Sequence, residues 1–149
     1  MVLADIGWPS DLAALDSISL DLAFSADVGS MLPERPRNSH KGTFGTALVV
    51  AGSINYSGAA YLAAAGAYRV GAGLVTVAVP GIIHGIVASQ LPEATYIILP
   101  SDMGVISDSG VPILRQALES VDSLLLGPGW GTERPTADFI HGILSSVKD

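Results

Sequence analysis

The chain of 149 residues has no cysteine, which excludes disulfides, thiolate metal sites and a cysteine nucleophile, and leaves the redox compartment unmarked. Basic residues are scarce, seven Lys and Arg against fourteen Asp and Glu, for a net charge of −7. A nucleic-acid partner is therefore not expected, because neutralising phosphates takes a dense basic stripe. Charge of either sign amounts to 14% of residues against an apolar share of 49%, so much of the chain must be buried in packed layers. The length predicts one domain with a sizeable core.

A mean hydropathy of +0.49 and an uncharged run from Gly42 to Tyr68 raise the possibility of a membrane span. Turn residues Gly52, Ser53, Asn55, Ser57 and Gly58 interrupt that run, and an irregular loop in lipid leaves backbone groups unpaired, so no membrane association is expected. Asp5 and Asp11 break up the amino terminus and no Lys or Arg precedes Arg35, so it does not read as a signal peptide; a cytoplasmic protein is the default expectation.

What is present is organised around residues 40 to 80. Thr46 to Ala51 reads as an apolar strand, Gly52 to Ser57 as a loop, and Gly58 to Val70 as an Ala-rich helix stopped by Gly71-Ala72-Gly73. Leu74 to Val79 then reads as a second strand. Such a βαβ unit predicts parallel, adjacent strands, with ligands beyond their carboxyl ends at the Gly52 to Ser57 loop. The alternation continues with helices at Ile82 to Ser89, Val111 to Ser120 and Thr136 to Val147 and strands at Thr95 to Leu99 and Ser123 to Leu126. A mostly parallel sheet with helices on both faces follows.

Upstream, residues 1 to 30 carry five Asp and no Lys or Arg. Val2 to Ile6 reads as a short strand, Gly7 to Pro9 as a turn and Pro9 to Leu15 as at most a short helix. Ser25 to Leu32 reads as a helix capped by Ser25 and stopped by Pro33-Glu34-Arg35-Pro36.

The first loop is not a P-loop, since Ala59 and Ala60 stand where Lys and Ser or Thr are needed, and it lacks the glycine spacing of a dinucleotide fingerprint. Ser57 is expected to cap the helix, leaving the amides of Gly58, Ala59 and Ala60 to meet an anionic or carbonyl-bearing ligand; close packing of small residues on the sheet is the alternative. Gly127-Pro128-Gly129 makes a rigid turn at a strand's carboxyl end, with Trp130 either stacking on a ligand or covering the core. Arg35, Arg37, His40 and Lys41 form either an anion clamp or a solvated loop, and Gly42 and Gly45 imply special backbone angles nearby. Glu93 is either a polar group aimed at the site or a surface or capping carboxylate. His84 and His141 have no partner at ligand spacing, so no protein metal site is expected. These residues alone identify no catalytic group.

Taken together, HKGTFG, LVVAGS, SGAAYLAAAGAYRVGAGLVTVAVP, LPEATY and LLLGPGWG, in that order over about residues 25 to 147, resemble the amino-terminal half of the ADP/ATP-dependent NAD(P)H-hydrate dehydratases, members of the ribokinase-like superfamily. LADIGWP resembles the last strand of the epimerase domain that precedes the dehydratase in bifunctional repair enzymes. The resemblance implies two parts: residues 1–24, an epimerase-like tail and linker, and residues 25–149, the amino-terminal half of a ribokinase-like dehydratase domain, apparently truncated. It implies dehydration of NAD(P)H hydrate back to NAD(P)H, with ADP or ATP as phosphoryl donor and Mg2+. Ala59 and Gly129 match substrate-binding positions of the family, and Gly58, Asn55, Lys41 and Gly127 are further pocket residues on this reading, with His40 and Glu93 as pocket-wall or structural residues. The family's catalytic Asp lies in a GTGD motif that these residues do not contain, so the catalytic residue is not assigned. A non-catalytic NAD(P)H-hydrate or nucleotide-binding fragment, or an inactive relic, is the competing expectation. Homo-oligomerisation, or association with a carboxyl-terminal half, is expected of the partners.

Overall fold

The structure, a computed structural model, describes residues 23–145. The expected elements before Ala23 and the end of the last helix at Val147 lie outside the described residues. Two compact units are present, one running to Arg37 and the other from Asn38.

The described part of the first unit carries helix α1, Ser25–Met31. Phe24 occupies the cap position, not Ser25, and its backbone amide donates to the Asp27 carboxylate at 2.9 Å. A carboxylate in the first turn thus satisfies the amide of the cap residue itself. No residue of α1 is buried.

In the second unit a 3₁₀ turn, Lys41–Phe44, leads into β1, Thr46–Val50. Helix α2, Ser57–Val70, β2, Leu74–Pro80, α3, Gly81–Gln90, and β3, Thr95–Leu99, follow. A short hairpin of β4, Ser101–Asp102, and β5, Val105–Ile106, precedes α4, Val111–Leu118, β6, Ser123–Leu126, and α5, Arg134–Leu144. Four strands form one parallel sheet in the order β3-β2-β1-β6.

Burial on both faces explains why β1 and β2 are nearly continuous apolar runs. On one face Val49, Val75, Val77 and Val79 pack against Ala60 and Ala64 of α2 and Ile83 and Val87 of α3. On the other, Leu48, Val50, Ala78 and Leu99 meet Leu114 of α4 and Phe139 and Ile143 of α5. Fully buried Ala60 and Ala64 let α2 lie close to the sheet, and Gly71, at φ 108°, ends it in the left-handed conformation with its amide donating to the Ala67 and Tyr68 carbonyls.

The structure adds what sequence reading did not contain, the β4–β5 hairpin. Its turn is Met103-Gly104, both at positive φ, the geometry of a tight hairpin turn. Of the two glycines flanking Thr43-Phe44, Gly45 has the special backbone angle, φ 73°, while Gly42 uses its amide to donate to His40 Nδ1.

Candidate functional site

Two loops meet at the carboxyl end of the sheet. Beyond β1, Gly52 turns the chain at φ 81°, a conformation that strains other residues, and a Cβ there would come within 2.7 Å of Ile83 Cδ1 and 3.1 Å of Ala60 Cβ. Its amide donates to the Pro128 carbonyl at 2.8 Å, and the Gly127 amide donates to the Val50 carbonyl at 3.1 Å. The loop after β1 and the turn after β6 are thereby stitched backbone to backbone.

This stitching sets Gly129 against the first turn of α2. A Cβ on Gly129 would lie 2.6 Å from Ala59 Cβ and 2.9 Å from both Cβ and the carbonyl oxygen of Tyr56. Ala59 and Gly129, some seventy residues apart, therefore share one surface. Gly58 is exposed beside them, a Cβ on Gly127 would meet open space, and Asn55 is exposed in the turn before α2. The β4–β5 hairpin reaches the same loop, its Gly104 carbonyl accepting from the Ile54 amide at 2.9 Å.

The helix start differs from expectation. Ser57 is the first helical residue and Tyr56 the cap, with no side-chain capping bond, because the backbone itself closes the turn: the Ala59 amide donates to the Tyr56 carbonyl at 3.2 Å. The free first-turn donors are thus those of Ser57 and Gly58, one position earlier than expected.

Lys41, His40 and Glu93 are not brought to this surface. Lys41 precedes β1 and packs its carbonyl beside Gly73, which precedes β2, and Glu93 precedes β3, so all three lie at the amino ends of parallel strands. His40 caps the 3₁₀ turn: Nδ1 accepts from Gly42 at 3.2 Å and its amide donates to Thr43 Oγ1 at 3.1 Å. Arg35 and Arg37 belong to the other unit. The Glu93 carbonyl accepts from the Tyr68 hydroxyl at 2.9 Å, and the Tyr96 hydroxyl donates to the Leu91 carbonyl at 2.9 Å. Burial pushes both tyrosine pKa values up, and the Glu93 carboxylate adds to the rise. His84 packs edge-on against the Tyr96 ring, 5.0 Å between centroids.

Trp130 covers the core. It is buried, meets Phe139 edge-to-face at 5.6 Å, and its indole Nε1 has no hydrogen-bond partner among the described residues. Two open clefts, of about 490 and 430 Å³, lie near the amino ends of the strands beside α4, bordered by Asp122 and Ser123 in one case and by Thr46 and Thr76 in the other. The surface at the carboxyl ends is instead made largely of the backbone of the two loops, with the Glu133 carboxylate beside Gly131. Among the described residues no group of three or more His, Asp or Glu side chains is placed to hold a metal ion, and no helix is long and apolar enough to cross a membrane.

A parallel sheet with helices on both faces and a glycine-lined surface at the strand ends defines a layered α/β protein with its site at the carboxyl ends of the strands. A ribokinase-like superfamily protein from Enterococcus faecalis superposes with a TM-score of 0.68 over 87% of this chain and 45% of its own, at 24% identity. The NAD(P)H-hydrate dehydratase family matches residues 47–148, and this chain belongs to that family. The bifunctional NAD(P)H-hydrate repair enzyme Nnr of Moorella thermoacetica is 38% identical over 98% of this chain and 28% of its own length. The ADP-dependent (S)-NAD(P)H-hydrate dehydratase of Staphylococcus aureus is 34% identical over 78% of this chain and 39% of its own. An ADP/ATP-dependent NAD(P)H-hydrate dehydratase from Bacillus subtilis, co-crystallised with ATP/Mg2+, superposes with a TM-score of 0.61 at 31% identity, over 80% of this chain and 40% of its own. The chain thus spans less than half the length of these relatives, 28% to 45%.

Proposed function

We propose that this chain is the substrate-binding part of an NAD(P)H-hydrate dehydratase, with Ala59 and Gly129 contacting the hydrated nicotinamide cofactor. The contact between the first turn of α2 and the Gly127-Pro128-Gly129 turn carries the reading, because it joins the two expected substrate positions on one face. Gly58, Gly127 and Asn55 border that face; Lys41 is left out of it. Backbone amides of Ser57 and Gly58 at the positive end of a 14-residue helix suit the phosphate or carbonyl oxygens of such a ligand.

The reaction re-forms a ring double bond: the hydroxyl oxygen takes a phosphoryl group from ADP or ATP, then the C–O bond breaks and phosphate leaves as a ring proton is lost. This chain's part is to hold and orient the ring. Phosphoryl transfer also takes charge stabilisation and a base within reach of the hydroxyl. The described residues offer no metal ligand set, so no step is assigned to Mg2+ here, and the GTGD segment that carries the family's base is absent from the sequence. A complementary carboxyl-terminal half supplies these on our reading, in the cytoplasm, where reduced cofactors become hydrated. On the same reading residues 1–24 are the tail and linker of an epimerase domain; two bifunctional relatives align over 98% and 97% of the chain, and two others over 72% and 71%.

The test is recovery of reduced-nicotinamide absorbance from NADH hydrate with ADP or ATP and magnesium, with and without a carboxyl-terminal half from a relative. Activity only in the mixture is expected. Activity of the chain alone would overturn the division of labour. Binding of NADH hydrate without turnover in either sample would favour the second reading, a non-catalytic binding module.

A further inference from the structure

Two aromatic residues flank the surface that joins Ala59 to Gly129, and the fold treats them in opposite ways. Trp130, next to Gly129 in the chain, is buried and engages Phe139 edge-to-face. Tyr56 stays 56% exposed, the one exposed Phe, Tyr or Trp among the described residues from Asn38 onward. Tyr68 and Tyr96 bond carbonyls near the other end of the sheet, and Tyr61 packs against the core under α2. Among the described residues the Tyr56 side chain has no such task.

Exposure alone would mean little; placement means more. The backbone of Tyr56 lies between the two expected substrate positions. Its carbonyl accepts from the Ala59 amide at 3.2 Å, and a Cβ on Gly129 would lie 2.9 Å from its own Cβ. The loop that carries it is tied down at alternate residues: the Gly52 amide donates to the Pro128 carbonyl at 2.8 Å, Ile54 to Gly104 at 2.9 Å and Tyr56 to Ser53 at 3.0 Å. Around Tyr56 the neighbours are small, since Gly58 is exposed with open space at its Cβ position, Ala59 carries one methyl and Gly129 none. A ligand resting on Ala59 and Gly129 therefore meets one large ring, fixed at its root, beside a floor of small residues. Aromatic faces attract planar heterocycles by offset stacking, and a residue on a tied backbone loses little freedom on binding.

We propose that Tyr56 is the ring-recognition residue of this face, a platform on which a planar heterocycle of the nicotinamide dinucleotide stacks. The proposal rests on the reading of this face as the NAD(P)H-hydrate site and adds the side chain that selects for a ring there. Two rings of the ligand share that chemistry, adenine and the nicotinamide-derived ring, and the experiment separates them.

The test is calorimetry and proton NMR of the full chain with NADH hydrate, and with AMP and nicotinamide mononucleotide as separate probes. Stacking moves the protons of the bound ring upfield, a signature that a merely structural role for Tyr56 would not produce. NADH hydrate should show that shift on one ring, shared by AMP if the ring is adenine and by the mononucleotide if it is the other. Tyr56→Leu should weaken NADH hydrate binding about tenfold and abolish the shift, whereas Tyr56→Phe, which keeps the ring, should retain both. Because the side chain is exposed, thermal unfolding of both variants should match that of the parent chain. Equal loss in the Leu and Phe variants, or binding without an upfield shift, would overturn the proposal and leave the substrate face standing. Failure of the unaltered chain to bind NADH hydrate would overturn the substrate face, and this inference with it.

Discussion

The two ends of the sheet are built differently. At the carboxyl end the joining bonds run backbone to backbone, Gly52 to Pro128 and Gly127 to Val50, and the positive-φ residues Gly52, Gly127 and Gly129 make the surface. At the amino end backbone bonds also join the loops, Gly73 and Leu74 donating to the Gly45 carbonyl and Asp122 to that of Thr46, and side chains add to them: the Asp122 carboxylate accepts from the Thr46 amide at 2.7 Å, His40 caps the 3₁₀ turn, Tyr68 and Tyr96 bond to carbonyls, and Thr76 shares a hydrogen bond with Thr95 at 2.7 Å. A site joined by backbone leaves its side chains open to a ligand, whereas the amino end spends several polar side chains on the fold. Gly52 and Gly129 of the ligand face resist substitution, since at their positive φ a Cβ would come within 2.7 Å of a neighbour.

The largest effect should come from beneath the carboxyl end. Phe139→Ala removes the ring that supports Trp130 and should cost about 3–5 kcal/mol in denaturant unfolding. Next, Gly129→Ala brings a methyl against Ala59 and Tyr56 at a positive φ; a loss of about 1–3 kcal/mol is expected, with weakened binding of NADH hydrate by calorimetry. Asp122→Ala, at the opposite end, should cost about 1 kcal/mol and leave that binding unchanged, and a binding defect as large as that of Gly129→Ala would erase the contrast between the ends.

The smallest effect concerns pH. Because the folded pKa values of Tyr68 and Tyr96 are raised, their contribution to stability is fully present below the unfolded tyrosine value of about 10 and is lost as pH rises through the folded values above it. Tyr68→Phe with Tyr96→Phe should lower stability at neutral pH by about 1 kcal/mol per lost hydrogen bond and flatten the alkaline decline seen in unfolding curves above pH 10.

Much of this arrangement was legible in advance. Apolar runs punctuated by glycine and proline marked β1, β2, β3 and β6 within a residue of their observed ends, and a parallel order followed from the helices between them. The hairpin escaped because its turn is Met103-Gly104: Met103, 92% exposed and at φ 47°, holds a position that Asn or Asp ordinarily marks. Lys41 is a pocket residue by resemblance and Glu93 reads either as a site-facing group or as a surface carboxylate; both stand just ahead of a parallel strand and so at its amino end, and that order in the chain is the signal for the reading away from the strand carboxyl ends. The helix caps at Phe24 and Tyr56 were illegible, because their hydrogen bonds come from the Asp27 carboxylate and from the Tyr56 carbonyl itself and not from a hydroxyl side chain at the cap.

The order of residues alone determined the strands, the helices between them, their parallel sense and the loops at the carboxyl ends, because periodicity and chain-breaking residues act locally. Tertiary structure decided which of those loops touch. Only with β6 laid beside β1 does the turn after Leu126 reach the start of α2, so that Gly129 meets Ala59 across a contact that no local pattern encodes.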